Sequence, residues 1–121
     1  MVEREDRPGA DEYEVKEPTK YELKLLFHDY KVYECINLVE DHDDFGLFDG
    51  YRARILIAAN IPKKLAQEVL IHEIVESYNY HMELELKHNQ ITGIATMFTQ
   101  FLLENKDFVR KFLKEKYVPR S

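Results

Sequence analysis

Residues 70–88 read LIHEIVESYNYHMELELKH. Within them, His72-Glu73-Ile74-Val75-Glu76 repeats the zinc-protease helix motif H-E-x-x-H with Glu76 in place of the second histidine. Four residues along an α-helix turn the chain by a net angle of about 40°, so His72 and Glu76 share one face. That spacing suits two ligands of one tetrahedral ion. Zinc accepts imidazole nitrogen and carboxylate oxygen, and a catalytic zinc takes three protein ligands and keeps one position open for water. Glu73 stands about 100° further round the helix. Motif enzymes keep there the general base that takes a proton from a water activated by the metal. His88, twelve residues after Glu76, is the candidate third ligand.

A His/Glu pair four residues apart is often no more than a solvated surface pair. Two features argue for a covered face. Leu65 and Val69 project from the same side of the helix as His72 and Glu76, so the stripe starts apolar and turns polar. The flanks are apolar as well, at Leu70, Ile71, Ile74, Val75 and Tyr78. A helix apolar on most sides is central to a fold, and charges buried there must be paired or coordinated.

Upstream, Pro62 opens this helix at a position where its missing N–H costs nothing. The helix is expected from about Pro62 to Met82, with its end and a connection in Glu83 to Lys87. The next helix is expected to begin near His88 or Asn89, with Asn89 as N-cap. Its apolar face is Ile91, Ala95, Phe98 and Leu102, and one turn back from Ile91 that face reaches His88. His88 is therefore expected to point toward the helix that carries His72; the alternative is a packing histidine. Asn105 ends this helix, and Asp107 to Tyr117 reads as a last amphipathic helix with Phe108, Phe112 and Leu113 inward.

The N-terminal half reads as sheet. Tyr21 to Phe27 and Tyr30 to Val39 are rich in aromatic and β-branched residues, with His28-Asp29 as a tight turn between them. A helix from Tyr21 to Asp29 is the competing reading, because Leu23, Leu26 and Phe27 also fit helical spacing. Glu40 to Gly50 is an acidic, turn-rich loop expected to hold a short edge strand around Phe45 to Phe48, with His42 exposed. It is not a calcium loop: the pattern begun at Asp41 meets Phe45 where it needs Asp or Asn, and Arg52 where it needs the closing Glu. Tyr51 to Ala59 reads as a strand buried on both faces at Ile55, Leu56 and Ile57. Residues 1–19 are charged and hold Pro8, Gly9 and Pro18, which reads as a flexible leader before a single domain over residues 20–121.

The chain has 121 residues and a net charge of −6. The charge argues against nucleic acid, whose phosphates need clustered Lys and Arg. No apolar run approaches the ~20 residues that span a membrane, and residues 1–19 hold no signal-peptide core. Cys35 is the single cysteine, so no intrachain disulfide forms, which fits a reducing cytoplasm.

In the order strand, strand, glycine-containing loop, apolar strand, motif helix and amphipathic helix, the chain resembles a family of small zincin-like metallopeptidases of phages and mobile elements. The resemblance covers roughly Tyr21 to Asp107. It is carried by Gly46, the run Ile55 to Ala58, Leu70-Ile71-His72-Glu73-Ile74, and Phe98 with Phe101-Leu102. A subgroup of that family replaces the second His with Glu and carries a His at the start of the next helix, here Glu76 and His88. The resemblance implies an α+β fold, a small antiparallel sheet packed on the motif helix with one or two further helices. It also implies zinc and peptidase ancestry in a bacterial or phage-infected cytoplasm. Glu76 is a harder ligand than His, which makes manganese or iron plausible beside zinc. His81 is a rival third ligand: it lies nine residues after His72, one short of the ten of the metzincin pattern. Two functions follow as expectations. One is a metal-dependent hydrolase of peptides or proteins, with Glu73 as base and Tyr51, Tyr78 or Tyr80 assisting at the oxyanion. The other is a non-catalytic zincin-like module of phage origin that binds a host protein, with or without a structural metal.

Overall fold

A computed structural model describes residues 12–115. The fold is α+β. Eight elements follow in order: β1 (Val15–Leu25), β2 (His28–Cys35), α1 (Leu38–His42), β3 (Gly46–Asp49), β4 (Arg54–Ala58), α2 (Lys63–Met82), α3 (His88–Glu104) and α4 (Lys106–Glu115). The four strands form one sheet in the order β1-β2-β4-β3. The sheet is mixed rather than antiparallel: β2 runs parallel to β4, while β1–β2 and β3–β4 are antiparallel. A parallel pair needs a crossover, and here α1 and β3 supply it. β4 therefore slots between β2 and β3 and leaves β3 at the edge.

The sheet has two covered faces, and β4 shows why its sequence is apolar without alternation. Ile55 and Ile57 join Leu25, Tyr30, Val32, Phe48 and Val69 in a core between sheet and α2. Leu56 faces the other way, into a core with Tyr13, Cys35, Leu38, Leu47 and Ala58 beneath α1. Buried on both sides, a central strand has no polar face to present. On its outer side α2 carries α3, so the helix with the motif lies between sheet and α3.

Several connections depart from the sequence expectations. The hairpin turn is Leu26-Phe27, two residues before His28-Asp29, and both residues have positive φ (49° and 72°). That is the backbone of a two-residue turn whose usual residues are Asn and Gly. The helical alternative for Tyr21 to Asp29 is not adopted. β1 begins at Val15, within the stretch read as a leader, because Asn37 straps the chain down. The Asn37 side chain accepts from the Glu14 backbone N–H at 2.9 Å and donates to the Glu12 carbonyl at 3.0 Å. The rest of that stretch, residues 1–11, lies outside the described residues.

His42 is not simply exposed: its ring packs on Tyr13, centroids 4.2 Å apart. The edge strand expected around Phe45 to Phe48 is present as β3, whereas α1 was not foreseen. Asp49 fixes the turn from β3 to β4. Its carboxylate accepts from Arg54 Nε at 2.7 Å and from the Arg52 backbone N–H at 3.1 Å. α3 buries Ile91, Ala95 and Thr99, so Thr99 takes the place expected of Phe98. No residue of α4 is buried: Phe108, Phe112 and Leu113 are exposed, against the expectation, because among the described residues α4 packs mainly on α3, where Phe108 meets Phe101. The residues expected to finish this helix, 116 and 117, lie outside the described residues.

Candidate metal centre

α2 starts one residue after Pro62 and ends at Met82, as the sequence predicts. Its buried positions are Val69, Glu73, Glu76 and Ser77. The stripe thus runs from apolar to polar, and the two glutamates sit where a core residue belongs. His72, on the same face as Glu76, is partly buried, with its Nε2 3.7 Å from Glu76 Oε2.

His88 arrives from the other side through a short, well-pinned loop. Glu83 ends α2 in the left-handed region, its backbone N–H on the Asn79 and Tyr80 carbonyls. The Asn79 side chain then accepts from the Leu86 backbone N–H at 2.8 Å. Lys87, not Asn89, is the N-cap of α3, and its backbone N–H donates to Gln90 Oε1 at 2.8 Å. His88 is the first residue of α3, and its ring centroid lies 5.5 Å from that of His72. Although exposed, it faces the helix it was expected to face.

One ligand atom from each of His72, Glu76 and His88 falls within a group whose members all lie within 4.8 Å of one another. Ligands at about 2.0–2.1 Å around a tetrahedral ion stand roughly 3.3 Å apart, so rotamer adjustments of about an ångström would close the set. Unsatisfied atoms point the same way. His72 Nε2 and both carboxylate oxygens of Glu73 are buried without a hydrogen-bond partner, a condition that costs about 1–3 kcal/mol per group when nothing compensates. Two imidazoles and a carboxylate, with the buried His72 Nε2 lacking a hydrogen-bond partner, fit a divalent ion of the zinc, manganese or iron kind.

Glu73 is 1% exposed and is pressed beneath the edge strand, next to Gly46. Burial pushes its carboxyl well above the usual carboxylate range, and the charges of Glu76 and Asp44 push it further, while the Phe48 backbone opposes weakly. It lines the same cavity as His72 and His88, about 440 Å³ in volume. That cavity opens between α2 and the segment Asp43 to Gly46.

The rival ligand goes elsewhere. His81 Nε2 is 2.7 Å from the Tyr30 hydroxyl, and its ring stacks on His28 with centroids 4.2 Å apart. None of the three tyrosines proposed for the oxyanion lines the cavity: Tyr78 packs on the core, while Tyr51 and Tyr80 are largely exposed. Sequence reasoning missed the cavity's acidic wall, Asp43, Asp44 and Glu68. The acidic loop was visible as a charge run, but nothing in its spacing tied it to α2. Comparison of the chain with protein families, with curated proteins and with solved structures finds no match.

Proposed function

We propose that the protein is a metal-dependent hydrolase of zincin type acting on peptides or proteins. His72, Glu76 and His88 would hold a divalent metal, with zinc first and manganese or iron as alternatives, and Glu73 would serve as general base. The observation that carries this reading is the convergence of His72 and Glu76 from α2 with His88 from α3, beside a buried glutamate with no hydrogen-bond partner.

A metal bound there supplies Lewis acidity, lowering the pKa of a water and polarising a carbonyl. The chain's own residues do the rest. Glu73 is buried in the cavity wall beside His72, where it would take a proton from the activated water and return it to a leaving amine. Val69 and Leu65 form an apolar wall that keeps water from one side of the cavity. The buried position of Cys35 and the lack, among the described residues, of any helix long and apolar enough to cross a membrane are compatible with a bacterial or phage-infected cytoplasm as the setting.

A second reading, a binding module on the same frame, is favoured by one observation. Met97, Phe98, Phe101, Phe108 and Phe112 are each exposed by about two fifths or more, an apolar face along α3 and α4 of the sort that marks an interaction surface. Glu73→Gln separates the two. For the hydrolase, the variant keeps its fold and metal and loses peptide hydrolysis by about 10²–10⁴-fold. A variant that binds metal and hydrolyses like wild type removes Glu73 from the mechanism. Wild type that holds metal but turns over no peptide leaves the binding module.

A further inference from the structure

We propose that the protein pairs with a second copy of itself through the outer face of α3, the two α3 helices running antiparallel. The inference does not depend on the metal centre, and it gives an occupant to the apolar face along α3 and α4. α3 carries more apolar surface than its neighbours cover. It packs on α2 and buries Ile91, Ala95 and Thr99. Beside these, Ile94, Met97, Phe98 and Phe101 recur at steps of three and four residues, which sets them in one stripe along the helix. Each is exposed by more than a third. α4 extends the stripe rather than covering it. Phe108 meets Phe101 with ring centroids 5.9 Å apart and Phe112 stacks on Phe108 at 6.0 Å, yet Phe108 and Phe112 both stay about half exposed.

The stripe also lacks charge. From His88 to Leu103, α3 holds no Asp, Glu, Lys or Arg, in a chain where those residues make up 33%. A solvated helix face carries charged and polar side chains. Loss of charge together with enrichment in Phe and Met is the composition of an interface core. The four half-exposed phenylalanine rings offer roughly 300–500 Å². Ile94 and Met97 bring the face toward the ~800 Å² that each partner covers in a stable complex.

A second copy answers both the pattern and the charge. A stripe at i, i+3, i+4 and i+7 is the surface on which another helix packs, and twofold symmetry supplies the same stripe from the partner. α3 is roughly 25 Å long, and the segments at its two ends carry opposite charge. The loop before it holds Glu83 and Glu85 against Lys87, whereas α4 after it holds Lys106, Arg110, Lys111 and Lys114 against Asp107 and Glu115. Asp107 pairs with Arg110 and Lys111 inside the helix, and Lys106 and Lys114 are exposed. Antiparallel pairing sets the cationic α4 of each copy beside the acidic loop of the other. Parallel pairing sets α4 against α4, with like charges facing.

Sedimentation equilibrium on the full chain tests this. The inference expects a mass of twice 14.5 kDa at tens of micromolar chain. Met97→Glu/Phe101→Glu should be monomeric with an unchanged helical circular dichroism signal. Lys106→Glu/Lys114→Glu should raise the dimer dissociation constant about tenfold, and adding Glu83→Lys/Glu85→Lys to the same chain should restore it, a rescue that the antiparallel arrangement alone provides. Wild type that stays monomeric at that concentration overturns the inference, and its co-flotation with phosphatidylglycerol vesicles would then assign the stripe to an anionic bilayer. A dimer that persists in Met97→Glu/Phe101→Glu, or one that the charge reversals fail to weaken and then restore, overturns it as well.

Discussion

Gly46 offers the sharpest test of how the edge strand sits on the motif helix. β3 passes α2 so closely there that a Cβ on Gly46 would lie 2.4 Å from Val69 Cγ1, 3.0 Å from Glu73 Oε2 and 3.1 Å from Glu73 Cγ. Val69 is buried and β-branched, and a helix allows it essentially one rotamer. It cannot swing aside, so Gly46→Ala must push β3 off α2 or distort both. Overpacking of this kind costs about 1–3 kcal/mol, and each kcal/mol lowers the Tm of a domain this size by about 4–8 °C. The same shift moves Glu73, so the hydrolysis proposed to depend on it should fall with stability. Gly93→Ala is the matched control. A Cβ there meets nothing within 4 Å, inside α3, where replacing glycine gains about 0.5–1 kcal/mol. One added carbon should therefore act with opposite signs at the two sites. Urea unfolding of both variants, with Val69→Ala and Gly46→Ala/Val69→Ala, completes the test. The double variant should lose less than the summed single losses by about 0.5 kcal/mol or more. A Gly46→Ala protein within about 0.5 kcal/mol of wild type would refute the close approach and with it the placement of Glu73.

Two further outcomes follow from the same packing. Burial, and secondarily the stacked His28, lower the pKa of His81 below its ordinary value of 6.5. The folded state then binds fewer protons than the unfolded one, so the His81 contribution to stability is complete above that ordinary value and is lost as pH falls through it. His81→Gln should flatten that part of a stability curve measured by urea unfolding from neutral to mildly acidic pH; a variant as acid-sensitive there as wild type contradicts it. Asp49 is 1% exposed and paired with Arg54. Asp49→Ala leaves a buried guanidinium without its anion and should cost about 3–5 kcal/mol; thermal unfolding that shows a loss under about 1 kcal/mol would mean that the pair is solvated.

The legible parts of the molecule are those specified by local chemistry. Pro62 and the recurring apolar residues Leu65, Val69, Leu70, Ile71, Ile74 and Val75 fix α2. Ile55, Leu56 and Ile57 announce a strand with two covered faces. Tracing the Ile91 stripe back one turn brings His88 to the helix that carries His72, as the structure shows. What stayed hidden depends on partners distant in sequence. Leu26 and Phe27 carry no turn signature, and the turn closes on them because Leu25 pairs with His28. The parallel pairing of β2 with β4 is a choice of neighbour that no stretch of either strand encodes. α4 has a well-formed amphipathic pattern, but the pattern does not say whether anything lies opposite it. The acidic rim of the cavity comes together only because β3 pairs with β4 at the edge and carries Asp43 and Asp44 to α2.

The proposed function depends on one metal ion held by His72, Glu76 and His88. It is tested most directly by elemental mass spectrometry on protein purified without a histidine tag, alongside His72→Ala and His88→Ala. About one zinc, manganese or iron per chain is expected in wild type, lost in both variants while the folded helical signal remains. Wild type that stays metal-free after incubation with zinc and desalting, or His72→Ala protein that keeps its metal, would contradict it.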